Sequence, residues 1–424
     1  MQYTVWRGAE EIGGMCIEVA AEDGTRVLLD LGMPLYDEDG KDYSFGTPQR
    51  PTEELLEAGV LRDIPGLFEC AEGASPVAAI ILTHSHLDHY GLAHHAHPSI
   101  PVYGSRGTIA ILEVGRVFFP DVTLPGDLRV LPETEPLRIG SVSVTPIPVD
   151  HAAPDSRALL VEADGERLLY SGDLRAHGRT GFRFEKLLAD ERVAGVDWLL
   201  LEGTTLGVGS ETHGLRSEQE VEESLLALAQ GQPDKLVAVI ASGQNLDRLV
   251  SCYRTAKQAG RLLVVDPYQA YVLMKLAPLS EAIPQFGWQD VKVSFAPHQV
   301  DKLKEAGLIE LVYEMGREAK VSSGELAADP GRYLLTARGS YGTSKLLNHI
   351  GADRVELVWS LWKGYWDREP NRLRDWALRE GARTHFIHSG GHAWPEDLER
   401  LTKALGPRNL EFVHTSAKTA GERA

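Results

Sequence analysis

Residues 79–91 read AIILTHSHLDHYG, an apolar run followed at once by a cluster of potential metal ligands. The apolar run predicts a buried strand that ends at Thr83. The ligands that follow, in the spacing HxHxDH, are His84, His86, Asp88 and His89. Side chains alternate along an extended segment, so the first two imidazoles point to one side, and a turn at Leu87 brings the last two ligands to a second position. The segment predicts a loop that serves two metals, and so many ligands at a strand end disfavour the alternative of a histidine-rich surface loop.

The composition around this segment is that of a globular protein of several domains. The chain has 424 residues, 43% of them hydrophobic and 25% charged, with a net charge of −18 that disfavours nonspecific binding to nucleic acid or anionic membrane. No apolar stretch approaches the roughly 20 residues of a membrane span, and the start lacks a basic leader, so we expect a cytoplasmic protein without membrane association. Cys16, Cys70 and Cys252 are isolated, which favours buried thiols over disulfides or a thiolate metal site.

The pattern of predicted elements changes near residue 217. Short strands separated by turns dominate the first 200 residues, including 26–30, 142–149 and 198–201. Beyond Ser217, helices alternate with short apolar strands, as at 218–229 and 235–241, which favours a doubly wound parallel sheet. The alternation continues to about residue 347. The fold class is therefore α/β.

The histidine loop resembles the hallmark motif of the metallo-β-lactamase superfamily, in which an αββα sandwich holds one or two metals, usually zinc. Three further residues match the family pattern. Asp30 matches an aspartate that supports the loop without binding metal, His151 matches the third histidine, and Asp173 matches the carboxylate that bridges two metals. The resemblance covers roughly the first 200 residues. Three imidazoles and a bridging carboxylate leave a zinc ion with an open position for water.

The second half resembles the β-CASP nuclease group of this superfamily, and ribonuclease J most closely. Glu202, His392 and His414 match the three motifs that this group adds. The resemblance implies a metallo-β-lactamase domain at 1–205, an inserted doubly wound β-CASP domain at 206–350, and a return to the first domain at 351–424. His414 is followed by Thr-Ser where ribonuclease J usually has Gly-Glu.

The resemblance also implies roles for these residues. One metal would be held by His84, His86 and His151, the other by Asp88, His89 and His414, and Asp173 would span both. Glu202 and His392 would form a catalytic pair, with His392 protonating the leaving 3′ oxygen. We expect Asp88 to be a catalytic residue as well as a metal ligand. We expect two zinc ions, although manganese suits the same ligands.

Candidate substrate contacts lie in the second half. His388, Ser389 and Gly390 would offer donors to a phosphate, as the ribonuclease J segment does, and Ser340 lies in a second glycine-containing turn, RGSYG, at 338–342. His94, His95 and His97 are expected at the surface or behind the metal site. The aromatic cluster of Trp359, Trp362, Tyr365 and Trp366 suits either base stacking or packing between domains.

The leading functional prediction is a two-metal phosphodiesterase that hydrolyses RNA, acting as an endonuclease, a 5′-exonuclease or both. RNA is preferred because the DNA-repair branch of the β-CASP group has valine at the position of His414, although single-stranded DNA is an alternative. A small-molecule hydrolase for thioesters, lactones or β-lactams would leave the insertion unexplained. A noncatalytic scaffold would have lost metal ligands, and none is missing here. A homodimer is left open.

Overall fold

The structure is a computed structural model that describes residues 1–37, 40–43, 46–68, 77–119, 122–206 and 214–416. It divides into two compact units. The first unit comprises Met1–Ala176, Thr180–Val208 and Gly391–Ala424, and the second comprises His177–Arg179 and Gly209–Gly390. The boundaries predicted from the resemblance are 205 and 350. In the structure the strands at Val355–Trp359 and Arg383–Phe386 pair within the sheet of the second unit.

The first unit contains a six-stranded sheet formed by the amino-terminal part of the chain. Its strands, in spatial order, are β1 (Gln2–Arg7), β2 (Cys16–Ala20), β3 (Arg26–Leu29), β4 (Ala79–Ile81), β5 (Val102–Gly104) and β6 (Leu128–Val130). Strands β1 to β3 pair antiparallel, whereas β3 to β6 pair parallel. The carboxyl ends of β3 and β4 therefore meet at one edge.

A second six-stranded sheet completes the first unit. Its strands are β7 (Leu137–Ile139), β8 (Val142–Pro148), β9 (Arg157–Ala163), β10 (Glu166–Tyr170), β11 (Trp198–Glu202) and the last strand of the chain, β19 (Asn409–Val413). The spatial order is β19-β11-β10-β9-β8-β7. Strands β10, β11 and β19 run parallel, and β8 runs in the same direction because β9 is antiparallel to both β8 and β10.

Alternation along the strands explains the layers of the first unit. Val27 and Leu29 join a core shared with Leu168 and Leu200 of the second sheet, whereas Leu28 faces a separate core on the other side. The outer faces are covered by helices, namely α1 (Thr52–Glu57), α2 (Leu87–Tyr90) and α3 (Arg106–Phe118) beside the first sheet, and α4 (Phe182–Leu188) and α14 (Pro395–Leu405) beside the second. The predicted αββα sandwich is present.

The second unit is built on a sheet of seven parallel strands. They are β12 (Leu236–Ile240), β13 (Leu262–Val265), β14 (Val291–Ser294), β15 (Lys320–Val321), β16 (Tyr333–Ala337), β17 (Val355–Trp359) and β18 (Arg383–Phe386), in the order β15-β14-β13-β16-β12-β17-β18. The connecting helices are α5 (Glu218–Gly231), α6 (Leu246–Gln258), α7 (Pro267–Leu276), α8 (Pro297–Glu305), α9 (Ile309–Glu318), α10 (Ser323–Ala328), α11 (Tyr341–Ile350), α12 (Lys363–Asp367) and α13 (Arg372–Glu380). Near-continuous apolar strands such as β12 are typical of a sheet buried on both faces, which is the predicted doubly wound arrangement.

The structure bears on the predictions about cysteines and about membrane spans. Cys16 and Cys252 are buried free thiols, as expected, while Cys70 lies outside the described residues. Within the described part of the chain, no helix has the length and apolar character needed to cross a bilayer.

Candidate metal centre

Most candidate ligands in the first unit follow the carboxyl ends of strands that run parallel within their own sheet. In the first sheet, β3 leads to Asp30 and β4 leads into the loop of His84 and His86, which continues into α2. In the second sheet, the residues at or just beyond strand ends are His151 after β8, Asp173 after β10, Glu202 at the end of β11 and His414 after β19. Because parallel strands end at the same edge, residues far apart in the sequence converge there.

The side chains form three overlapping groups whose potential ligand atoms lie within 4.8 Å of one another. The groups are His84, His86, His151 and Asp173; then Asp88, His89 and His414; and finally Asp173, Glu202, His392 and His414. The first two correspond to the two ligand sets predicted from the sequence. No described member of either predicted set is left outside.

Asp173 lies at the centre of these groups. Its Oδ2 is 3.6 Å from His84 Nε2 and 3.3 Å from His89 Nε2, and its Oδ1 is 3.8 Å from His414 Nδ1. The carboxylate therefore faces imidazoles of both predicted sets, which is the position that a bridging ligand requires. At the far end of the site, His414 Nε2 lies 3.1 Å from Asp88 Oδ2.

Three buried polar atoms in this site make no hydrogen bond within the described structure: His84 Nε2, His89 Nε2 and Asp173 Oδ1. Their side chains are at most 2% exposed. Leaving a buried polar atom unsatisfied costs about 1–3 kcal/mol, so three in one place indicate that another group meets them. Neutral imidazole nitrogens and carboxylate oxygens are the ligands of zinc, so the donor set fits a divalent cation.

Asp30 fixes the orientation of the histidine loop. Its carboxylate accepts hydrogen bonds from His89 Nδ1 at 2.8 Å, from Thr83 N at 2.7 Å and from Tyr170 Oη at 2.9 Å. Asp30 is fully buried and has φ of 60°, a left-handed conformation that is uncommon for residues other than glycine but that Asp and Asn tolerate. Because His89 Nδ1 is turned to Asp30, Nε2 is the ring nitrogen that points toward the site.

Hydrogen bonds orient the other imidazoles in the same manner. His151 Nδ1 donates to the Gly391 carbonyl at 2.6 Å, and His414 Nδ1 lies 2.7 Å from Thr204 Oγ1. Thr83 uses its hydroxyl proton on Asp30, so its oxygen can accept from His84 Nδ1 at 3.0 Å. The Nε2 atoms of these rings are consequently left for the site.

The backbone also holds the loop in place. Leu31 N donates to His89 O, and Met15 N donates to Asp88 O, both at 2.9 Å. A Cβ on Gly32 would lie 1.7 Å from the Asp88 carbonyl oxygen, so only glycine allows this segment to pass so close to α2.

The electrostatics of the site separate neutral from charged groups. Burial, followed by the neighbouring histidines, lowers the pKa of His84 and of His151 well below the ordinary value, which keeps both imidazoles neutral as ligands must be. Burial alone would raise the pKa of Asp173, but the surrounding histidines lower it well below its usual range. The carboxylate is therefore ionised.

Glu202 and His392 form the hydrogen-bonded pair expected from the sequence. His392 Nδ1 lies 3.1 Å from Glu202 Oε2 and 3.3 Å from Oε1. The Glu202 carboxylate also accepts from the backbone N–H groups of Leu174, Thr204 and Ala393. Burial lowers the pKa of His392, but Glu202 and Asp173 together raise it to about 9, and its side chain stays 25% exposed.

The other predicted substrate residues belong to the second unit. Ser389 is 1% exposed with an Oγ that makes no hydrogen bond, and the His388 carbonyl accepts from Leu215 N at 2.7 Å. Gly390 O lies 3.2 Å from His177 Nε2. Ser340 caps α11 by accepting from Thr343 N.

Several residues near the candidate site support it without joining the metal groups. His94 and His95 do not join the metal groups; each places its Nε2 within 3 Å of the Pro48 carbonyl and so holds the preceding loop. Sequence reasoning missed Thr204 and Tyr170 as supports of His414 and Asp30. Thr204 lies two residues after Glu202 and Tyr170 three residues before Asp173, so adjacency to a predicted site residue was the available signal.

Comparison with known proteins gives matches over this fold. Residues 63–239 match the model of the Beta-lactamase superfamily domain. Ribonuclease J of Sinorhizobium meliloti is 29% identical over 397 residues, covering 88% of this chain and 63% of that protein. Ribonuclease J of Pyrococcus abyssi is 26% identical over 435 residues, covering 96% of this chain and 88% of that protein. The chain thus spans less than two thirds of the length of the first of these relatives.

A solved structure has the same fold. The crystal structure of a protein of unknown function from Enterococcus faecalis superposes with a TM-score of 0.78 at 21% identity, covering 98% of this chain and 94% of that one. Together these matches confirm the resemblance to the metallo-β-lactamase superfamily and to ribonuclease J, and they confirm the predicted fold class.

Proposed function

We propose that this chain is a metal-dependent hydrolase, specifically a two-metal phosphodiesterase that cleaves RNA in the manner of ribonuclease J. The observation that carries the proposal is the convergence on Asp173 of two complete ligand sets, with buried imidazole nitrogens left unpaired. Relatives named ribonuclease J, similar over most of the chain, support RNA as the polymer.

Each residue of the centre has a proposed role. The first metal would be held by His84, His86 and His151, the second by Asp88, His89 and His414, and both by Asp173. When bound, two such cations lower the pKa of a water and neutralise charge on the scissile phosphate. Zinc or manganese suits this mixture of imidazole and carboxylate ligands.

The chain itself would supply the leaving-group proton. Glu202 binds the Nδ1 side of His392, so the Nε2–H of the same ring is available to a substrate. A raised pKa keeps the imidazolium protonated near neutral pH, as a general acid must be. In the proposed step a water oxygen bonds to phosphorus and the water releases a proton to solvent, the P–O3′ bond breaks, and His392 gives its proton to the departing 3′ oxygen.

The second unit would contribute substrate contacts through His388, Ser389, Gly390 and Ser340. The buried, unpaired Ser389 hydroxyl is the best supported of these contacts. RNA remains preferred to DNA because position 414 is histidine, whereas the DNA-repair branch of the β-CASP group has valine there. Endonucleolytic and 5′-exonucleolytic modes are both compatible with this centre.

The proposal is tested with purified full-length chain and end-labelled RNA that carries either a 5′-monophosphate or a 5′-triphosphate. Chelation should abolish cleavage, and added zinc or manganese should restore it. Release of mononucleotides that requires the monophosphate would assign the exonuclease mode, whereas internal products from both substrates would assign the endonuclease mode. Faster cleavage of matched single-stranded DNA, or turnover of a lactone, thioester or β-lactam alone, would contradict the RNA assignment.

The role of His392 needs a measurement of the chemical step. His392→Ala should slow single-turnover cleavage by about 100-fold or more while the bound metal stays unchanged. Glu202→Gln should shift the acid limb of the pH–rate profile, because the imidazolium loses its carboxylate partner. A His392→Ala variant with the wild-type single-turnover rate would mean that this residue only fixes its loop.

A further inference from the structure

A set of aromatic rings lies exposed on the second unit. The exposed fractions are 65% for Tyr341, 43% for Trp362 and 48% for Tyr365. Two guanidinium groups lie over these rings: the Arg368 Cζ is 4.9 Å from the Tyr365 ring centre, and the Arg372 Cζ is 5.8 Å from that of Tyr341. We call these five residues the aromatic surface.

The rings of the aromatic surface are held in place. Trp362 meets Tyr365 edge to face, with ring centres 5.3 Å apart at 90°. Asn371 donates from Nδ2 to the backbone carbonyls of Tyr365 at 3.3 Å and of Trp366 at 3.1 Å. The Trp366 ring is 9% exposed and belongs to the hydrophobic core, so it anchors the segment from below.

The indole of Trp362 lies directly against the main chain. A Cβ on Gly364 would come within 2.2 Å of the indole ring, so the absence of a side chain there allows the close contact. The ring nevertheless keeps 43% of its surface exposed. A large aromatic group fixed by its neighbours yet left open to solvent is a preformed stacking platform.

A cavity of about 280 Å³ adjoins these rings. Its lining includes Ser340, Arg368 and Arg372, and no carboxylate side chain among the described residues contributes to it. Ser340 caps the ten-residue helix α11, whose amino terminus adds a partial positive charge. The nearby Glu369 carboxylate is neutralised by an ion pair with Arg374. The volume lies just below the ~300 Å³ of small-ligand sites, which suits a single nucleotide.

We propose that the aromatic surface binds single-stranded nucleic acid, with bases stacked on Trp362, Tyr365 and Tyr341. Arg368 and Arg372 would pair with the phosphates. The chain as a whole carries −18, so a local pair of cations interleaved with rings is the arrangement that still attracts a polyanion. Guanidinium groups lie over the exposed rings, so the surface is not a purely apolar patch, which disfavours a protein partner.

This inference extends the proposed function by giving the polymer a second contact, and it rests on that function only for the choice of RNA. Arg368 and Arg372 are distinct from the phosphate contacts proposed above at residues 388–390. Stacking on rings is tolerant of sequence, so we expect binding of unpaired strands with little base preference.

The test is equilibrium binding of a labelled, unstructured RNA of about 16 nucleotides to the full chain, followed by fluorescence anisotropy. A gel of each sample verifies that the RNA is intact, so binding is read independently of cleavage. Trp362→Ala and Tyr365→Ala should each weaken binding roughly 10-fold, whereas Trp362→Phe should retain most of the affinity. Arg368→Gln should lower the salt dependence of binding.

Controls separate stacking from other causes. Tyr313→Ala removes a ring of the same unit that is 56% exposed, and it should leave binding unchanged. A strand of the same length with abasic sugars should bind weakly and should not respond to Trp362→Ala. Wild-type affinity in the Trp362→Ala/Tyr365→Ala double variant overturns the proposal. Self-association of the chain that these substitutions abolish, without an effect on RNA, also overturns it and assigns the surface to a second copy. A wild-type chain that binds this RNA through the aromatic surface but does not cleave it would count against the proposed function alone.

Discussion

Two buried polar clusters, one in each unit, differ in whether their hydrogen bonds are complete. In the first unit, His84 Nε2, His89 Nε2 and Asp173 Oδ1 make no hydrogen bond to any residue that the structure describes. In the second unit, the fully buried Arg248 donates from Nε and Nη2 to Glu218, at 2.9 and 3.0 Å, and from Nη1 to the Ser360 carbonyl at 2.9 Å. Both clusters are dense in charge, but the Arg248 and Glu218 side chains satisfy each other, whereas the first cluster leaves imidazole and carboxylate atoms for a further group. Incomplete hydrogen bonding, and not charge itself, distinguishes a ligand site from a cluster that holds the fold.

The strand ends explain where each cluster lies. The polar residues of the first unit follow strands of two facing sheets, so they can surround an ion from several directions. Glu218 and Arg248 lie on the neighbouring helices α5 and α6, where a bidentate pair can close on itself. Substitutions in each cluster test this distinction, beginning with Asp173 at the centre of the first cluster.

Asp173→Ala should cause the largest loss. The variant lacks the carboxylate that both proposed metals share, so RNA cleavage should fall at least about 1,000-fold, equivalent to roughly 4 kcal/mol of transition-state stabilisation. Metal content measured together with single-turnover cleavage checks this. Asp190→Ala serves as the control, since that carboxylate pairs with Arg192 away from the ligand groups. Retention of two metals and full activity in Asp173→Ala would remove the basis for the site.

Arg248→Ala should destabilise the second cluster without any dependence on metal. Removing one partner of a buried ion pair leaves an uncompensated charge on Glu218, and the free energy of unfolding should fall by about 3 kcal/mol. Urea unfolding measures the change. Added zinc should stabilise the wild-type chain through the first cluster, yet it should not close the gap between the two proteins.

The double variant Arg248→Met/Glu218→Met is the matched control. It replaces both charges by apolar groups of similar length, so it should recover much of the lost stability. A double variant as unstable as Arg248→Ala would show that the cluster contributes through something other than completed hydrogen bonding.

The grouping of the candidate metal ligands was predictable because their sequence signal is local and their convergence follows from strand direction. HxHxDH lies within six residues of a strand end, and Asp30, His151 and Asp173 each follow a predicted strand of the first 200 residues. The structure brings them together because the parallel strands β3 and β4, and β10 and β11, end at the same edge.

Two features were not predictable from the same signals. The family resemblance implied a boundary at 350, whereas the strand at 355–359 pairs with β12 of the second unit. Apolar periodicity identifies that strand but does not say which sheet it joins, because the pairing is long-range. The contacts of Tyr170 with Asp30 and of Thr204 with His414 depend on side-chain directions across 140 and 210 residues of sequence. Spacing within one segment carries no information about such pairs.

Asp30→Asn should weaken metal binding by about 10- to 100-fold, because Asp30 orients His89 without itself facing the site. Asparagine tolerates the left-handed backbone at this position, so the substitution changes the acceptor and leaves the main chain in place. Competition with a chelator of known affinity measures the shift. Tyr170→Phe removes one hydrogen bond to the same carboxylate and should have a smaller effect; an equal or larger effect would mean that Asp30 acts mainly through packing.

Glu356→Gln should give the smallest effect, and it examines a third, complete cluster. The fully buried Glu356 carboxylate accepts from Lys235 Nζ at 2.9 Å and from His385 Nε2 at 2.7 Å. Burial raises the pKa of Glu356, but Lys235 and His385 lower it by more than burial raises it, so the net shift is downward.

A carboxyl group whose folded pKa lies below its unfolded pKa stabilises the protein above the unfolded value and loses that contribution as the pH falls through the folded value. The wild-type chain should therefore exceed Glu356→Gln in stability by about 1 kcal/mol at pH 7, and the gap should shrink below about pH 4. Urea unfolding across this range, with the exposed Glu314→Gln as control, measures it. A gap that chelation changes would mean that a cluster with complete hydrogen bonds also responds to a ligand, and the distinction between the clusters would fail. A gap that persists at low pH would mean that the charge of Glu356 is not the source of the stability difference.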